Sequence, residues 1–178
     1  MNRQSFKTPR GIAMYPYINL PDTQFDAVGQ YKVNLRMKKE DAKELIEEVR
    51  SLAAQAFGDK AKSARLPFKT DPDTGDIIAV TKSKYQPRCE DSQTNVIPPE
   101  RLPDIFGGSE LVVGGTISAY DKGGNHGITM QLGSVQLVKL AQSNAAQAVQ
   151  FEPVEGGFVA NNDVEPVTEA AAEGDYNF

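Results

Sequence analysis

The chain has 178 residues, 19 Lys and Arg against 24 Asp and Glu, and a formal charge of −5. That length suits one domain with extensions and a core that needs no cross-links. A single cysteine, Cys89, excludes an internal disulfide, and one cysteine with one histidine excludes zinc sites built on several such ligands.

In chain order, residues 1–10 are polar and basic and lack the apolar stretch of a secretory signal, so they read as a short N-terminal arm. Residues 11–19 form a first strand, with Arg10, Tyr15 and Tyr17 at its opening. Residues 31–38 are the cleanest strand. Tyr31, Val33, Leu35 and Met37 fall on one face; Lys32, Asn34, Arg36 and Lys38 fall on the other. Residues 40–57 carry helical spacing through Ala42, Leu45, Ile46, Val49, Leu52, Ala53 and Ala56. Glu40, Asp41 and Glu44 suit the positive end of the helix dipole, and Gly58 is the expected stop.

Residues 71–76 read as a turn. Their faint likeness to a calcium loop fails because the glycine is misplaced and Lys82 stands at the closing position. A strand follows over residues 77–86, with Lys82 and Lys84 on one face and Tyr85 adjacent. Pro98, Pro99 and Pro103 punctuate a long connection. Residues 111–120 and 127–140 are two further strands, joined through residues 121–125. The apolar parity of the last strand changes after Leu132, which places a bulge near Gly133 and Ser134. Five strands and one helix in this pattern predict a small closed barrel.

From residue 142 the periodicity is lost. Residues 142–178 are rich in Ala, Gln, Asn, Gly and acids, a composition that cannot bury enough apolar surface to offset the entropy of ordering. All 19 basic residues lie between Arg3 and Lys139, whereas 17 acids lie in residues 1–140 and seven follow. The body therefore carries +2 and the tail −7. A mildly basic body with an acidic tail fits a binder of polyanions that carries its own competitor. A solubilising tail on an unrelated domain fits the same numbers.

No set of residues points to catalysis. His126 stands alone in a glycine-rich turn, Cys89 is flanked by Arg88 but also by Glu90 and Asp91, and no glycine pattern matches a phosphate loop. No metal or cofactor is expected, and no apolar run reaches the ~20 residues of a membrane helix.

The pattern that carries chemistry is the interleaving of basic and aromatic residues. Single strands are held by a positive groove plus aromatic faces on which bases stack, at ~1–3 kcal/mol per base. Arg10, Tyr17, Lys32, Arg36, Lys82, Lys84, Tyr85, Tyr120 and Lys122 are the candidate DNA-binding residues. Tyr120 alternates away from Leu111, Val113 and Ile117, which makes it the leading stacking candidate; Tyr31 belongs with the core. At the other end, Asp175 and the terminal Phe178 form a compact peptide ligand, with an aromatic ring beside carboxylates.

Together these residues resemble the phage replication single-stranded DNA-binding protein family. The resemblance covers nearly the whole chain. Gly11, Ala13, Tyr17, Ile18, Pro21 and Asp22 are similar to its opening segment, and Gly29, Tyr31, Lys32, Val33 and Leu35 to its Gly-x-Tyr-Lys-Val-x-Leu strand. Gly107, Gly108, Ser109 and Leu111 are similar to its Gly-Gly-Ser-x-Leu turn. Tyr120, then Leu132, Ser134, Val135, Leu137, Val138, Leu140 and Ala141, match its final strand pair, and Gly174, Asp175 and Phe178 its terminus. The sequence departs from the family at residues 121–123, where Asp-Lys-Gly follows Tyr120 in place of a Trp, and near Val28, where an Arg is replaced.

The resemblance implies an OB-fold-like five-stranded barrel, mainly β, with one long α-helix and a disordered acidic C-terminal tail. Residues 1–10 would be the basic arm, residues 11–141 the DNA-binding domain and residues 142–178 the tail. It further implies a non-enzymatic protein that coats single-stranded DNA without strong sequence preference in replication, recombination and repair. The tail would compete for the groove, support a homodimer and contact the phage DNA polymerase and helicase-primase, in the cytoplasm of an infected bacterial cell. The alternatives are an OB-type protein-interaction module without significant DNA binding, which predicts scattered basic residues, and a nuclease, which predicts clustered carboxylates.

Overall fold

In the computed structural model, residues 3–142 are described, and every expectation for residues 143–178, including Asp175 and Phe178, lies outside them. Among the described residues, nine strands and one α-helix run in the order β1 (Arg3–Lys7), β2 (Gly11–Asp22), β3 (Gln30–Met37), α1 (Lys43–Phe57), β4 (Phe68–Thr70), β5 (Ile77–Ser83), β6 (Arg88–Glu90), β7 (Val96–Ile97), β8 (Glu110–Lys122) and β9 (Asn125–Lys139). Five of them close a ring. β2 pairs with β3, β3 with β5, β5 with β9, β9 with β8, and β8 returns to β2. All these pairings are antiparallel except β5 with β9, a short parallel contact of Thr81 and Lys82 with Met130 and Gln131. Closure leaves the five ring strands no open edge between first and last, which is how an OB-type sheet manages unpaired backbone.

The alternation read in residues 31–38 sets the inside of the ring. Val33, Leu35 and Met37 are buried there with Ala13, Ile18, Ala79, Leu111, Val113, Ile117, Met130 and Leu132. Thr81 is the polar member of this set, and its hydroxyl donates to the Val33 carbonyl at 2.9 Å. Helix α1 packs against β8 and β9 and buries Leu45, Val49, Leu52 and Ala53, the face its spacing specifies. It starts at Lys43 rather than residue 40: Glu40 and Asp41 belong to a turn closed by the Ala42 N–H on the Lys38 carbonyl at 3.1 Å. Gly58 stops it, with its N–H on the Ala54 carbonyl.

The segment read as a basic arm is a strand over Arg3–Lys7, paired with β8 from Ser118 to Gly114. Phe6 is buried and the Thr8 hydroxyl accepts from the Val113 N–H at 2.9 Å, so these residues are tied to the sheet. The strand after the residue 71–76 turn ends at Ser83, because the chain bends at Lys84 and Tyr85. β4, β6 and β7 have two or three residues each, too few to show a period in sequence. The β8–β9 connection is shorter than read: pairing continues to Lys122 opposite Asn125, leaving Gly123 and Gly124, both at positive φ, as the two-residue turn. The bulge lies where the parity change puts it. Gly114 faces Ser134 and Gly115 faces Leu132, so Gly133 is the extra residue.

Candidate nucleic-acid interface

On the outer face of the sheet, β3 and β5 place Lys32 directly opposite Lys82, and Asn34 opposite Val80. β4 adds to this face, with Lys69 opposite Ile78. The chain reaches β4 along a connection that is bonded to the start of β9. Arg65 donates its N–H to the His126 carbonyl at 3.1 Å and accepts from the Ile128 N–H at 2.8 Å. His126 holds the same connection through its ring, whose Nε2 lies 3.0 Å from the Ser63 hydroxyl and 3.0 Å from the Lys60 carbonyl, with Phe57 edge-on at 5.1 Å. Gly127 is the closest approach in this join. A Cβ there would lie 2.5 Å from the Arg65 carbonyl and 2.8 Å from the Tyr120 hydroxyl oxygen, so no other residue fits without displacing both.

These contacts build a groove of about 470 Å³ between the β4–β5 layer and the end of the β8–β9 hairpin. Arg65, Lys69, Lys82 and Lys122 line it, with Tyr120, Phe68, Val80 and Ile128 as its apolar part. A second cleft of about 230 Å³ shares Lys82 and Thr129 and continues to Lys84, Ser83, Gln131 and Gln30. Five cations therefore line a continuous surface to which no carboxylate contributes, and among the described residues none of the five is in an ion pair. Tyr120 is half-buried and keeps part of its ring on the groove.

The expected site residues thus divide. Lys82, Lys84, Tyr120 and Lys122 come together, and Tyr85 stands exposed one residue past Lys84. The other three cations are engaged by carboxylates, and Tyr17 lies under one of them. Lys32 is bonded to Asp22, and its ammonium lies 5.0 Å over the Tyr17 ring, covering one face of that ring. Arg36 lies 3.5 Å from Asp71, and Arg10 lies 3.4 Å from Glu110. Arg10, Arg36 and Lys38 share a separate cleft with Asp41, Asp76 and Glu110, a balanced set with no pull on a polyanion.

Two of these carboxylates are held below the usual range. The Lys32 ammonium does so for Asp22, assisted by the Gln24 N–H. For Asp71 the Asp73 N–H acts first, against the opposing effect of burial, with Thr74 and Arg36 adding to it. Both stay ionised at neutral pH, so a phosphate reaching Lys32 or Arg36 must displace an existing partner.

Arg65, Lys69 and Phe68 were missed in sequence. The run Arg65-Leu66-Pro67-Phe68-Lys69 does interleave charge with an aromatic, but only the β4–β5 pairing and the bond from the Val80 N–H to the Pro67 carbonyl, 2.9 Å, bring it onto this face. Cys89 is buried, and burial pushes its thiol up to about 11, the opposite of an activated nucleophile.

The fold is that of phage single-stranded DNA-binding proteins. The single-stranded DNA-binding protein gp2.5 of bacteriophage T7 superposes with a TM-score of 0.67 at 24% identity, covering 90% of this chain and 100% of its own. The single-stranded DNA-binding protein of bacteriophage Enc34, truncated at its C-terminus, gives 0.64 at 20% identity over 78% of this chain and 87% of its own. The same Enc34 protein in complex with single-stranded DNA gives 0.61 at 20% identity over 78% and 88%. No family model and no curated protein matches the sequence.

Proposed function

We propose that this protein binds single-stranded DNA along the cationic groove, without catalysis and with little sequence preference. The observation that carries the reading is the meeting of five cations free of ion pairs among the described residues with Tyr120 on one surface. Lys and Arg there neutralise phosphates and release counter-ions, while the Tyr120 ring offers a face that only an unpaired base can stack on. The surface lies on β5, the third strand of the ring, with β4 beside it and the last hairpin of the ring across from it, and β3 contributes Gln30 alone. This is the side of the third strand and the last loop with which OB-folds take oligonucleotides. The Enc34 protein of like fold is described with single-stranded DNA bound.

Within this reading the protein coats exposed strands during phage replication, recombination and repair in the cytoplasm of an infected bacterial cell. The seven acids after residue 140 act as a tethered competitor for the groove, whose high local concentration lets a weak contact compete with DNA. Asp175 and Phe178 supply the terminal ligand for the phage DNA polymerase and helicase-primase, and the tail supports a homodimer.

The test is a titration of fluorescent oligo-dT, with a duplex of equal length as control, against the full chain and a chain ending at Ala141 across a range of salt. Preference for the single strand, and tighter binding by the shorter chain that is most marked at low salt, is the expected result. Failure of both chains to bind at low salt sinks the proposal and leaves the protein-interaction module in its place.

A further inference from the structure

The clefts do not end at Lys84. Gln30, the first residue of β3, lines the same cleft as Lys82 and Lys84, and residues 23–29 lead directly into it from β2. At the tip of that connection Phe25 is 89% exposed, and Tyr85, beyond Lys84, is 76% exposed. Single exposed hydrophobic residues are ordinary. Here two exposed rings lie past the same end of the sheet: the register sets Asp22 opposite Gln30, ahead of the connection that carries Phe25, and Ser83 opposite Tyr31, two residues before Tyr85.

The connection is built rather than slack. The Asp22 carboxylate accepts from the Gln24 N–H at 3.0 Å, and the Asp26 carboxylate accepts from the Val28 N–H at 3.0 Å. The Asp26 carbonyl accepts from the Gly29 N–H at 2.8 Å. These side-chain-to-backbone turns bracket Phe25 and fix the backbone that presents it. They also engage the two carboxylates that flank Phe25 in the chain.

We infer that Phe25 and Tyr85 form a second stacking platform, which takes unpaired nucleobases of the strand after it passes Lys82 and Lys84. The inference rests on the groove being a DNA site and extends it by a subsite. A base is the fitting occupant because the cleft that leads toward this end is lined by Lys82, Lys84 and Gln30 with no carboxylate, and the Asp22 and Asp26 carboxylates that flank Phe25 in the chain are bonded to backbone N–H groups. An exposed ring at a tip also offers a flat face, which suits stacking without base selection. Short oligonucleotides fill the stretch around Tyr120 and Lys82; longer ones reach Phe25.

The chain contains no tryptophan, so Phe25→Trp places a single indole at the proposed platform. Its emission is followed together with the anisotropy of labelled oligo-dT over lengths of roughly 4–16 nucleotides. The expected result is quenching at saturation by the longer oligonucleotides but not by the shortest. Phe25→Ala should weaken the longest by about five- to a hundredfold and leave the shortest unchanged. Unchanged indole emission while anisotropy reports full binding at every length overturns the platform and leaves the groove standing. If no length binds, groove and platform fall together. If Phe25→Ala lowers the oligomeric state in sedimentation while DNA binding at every length is untouched, the tip serves a second copy of this chain and the inference is wrong.

Discussion

Lys82 sits at the junction of the two clefts, so its removal tests the groove most directly. For single strands, each phosphate neutralised contributes about −0.7 to the slope of log K against log salt. Five cations each meeting one phosphate give a slope near −3.5, and a fourfold rise in salt then weakens binding roughly a hundredfold. Lys82→Ala removes one contact. The slope should fall to about −2.8, and at 0.1 M salt the loss is about 1 kcal/mol, close to fivefold in affinity. Arg36→Ala is the matched control. Its guanidinium already faces Asp71, so the slope should stay unchanged within error. Anisotropy titrations with oligo-dT at four or five salt concentrations measure both slopes. The reasoning is refuted if Arg36→Ala flattens the salt dependence and Lys82→Ala does not, because the ion-paired residues would then be the ones that meet phosphate.

Tyr120→Ala should cost ~1–3 kcal/mol of DNA affinity with the salt slope preserved, and Tyr120→Phe should recover most of it, since stacking needs the ring and not the hydroxyl; a flattened slope in Tyr120→Ala would show that the loss is a displaced cation instead. Asp22, Asp71 and Asp91 titrate below their ordinary value, Asp22 chiefly through Lys32, Asp71 through the Asp73 N–H and Asp91 through the Asn95 side chain. Carboxyls depressed in the folded state stabilise it above the unfolded value of ~3.9 and lose that effect as pH falls through their folded values. The urea midpoint should therefore be flat near neutrality and drop below about pH 4, less steeply in Asp71→Asn; a midpoint unchanged down to pH 3 contradicts this. The Cys89 thiol, buried and raised to about 11, should resist a thiol reagent at pH 8 until urea unfolds the chain; rapid labelling of the folded protein would contradict its burial.

The features legible in the sequence are those carried by local periodicity. Alternation in residues 31–38 decided which side chains of β3 enter the ring. The spacing of Leu45, Val49 and Leu52 decided the buried face of α1, and the parity change after Leu132 located the bulge at Gly133. Each of these is a statement about neighbours a few residues apart, where backbone geometry alone relates sequence to direction. The same local reading placed Lys32, Arg36, Lys82 and Lys84 on solvent-facing positions and singled out Tyr120.

Tertiary structure decided which of those cations are free. Lys32 and Lys82 are equivalent in pattern and adjacent in space, yet one is bonded to Asp22 and the other lines the groove. Arg36 meets Asp71 and Arg10 meets Glu110 only because turns and strands far apart in sequence converge. Arg65 and Lys69 enter the site through one bridge to Gly127 and a three-residue strand, contacts too short to leave a period. Whether a charge is available to a ligand depends on what lies within a few ångströms of it, because Coulomb attraction and hydrogen bonding act over distance in space. Alternation along the chain orients a side chain and says nothing of the carboxylate that another segment brings to meet it.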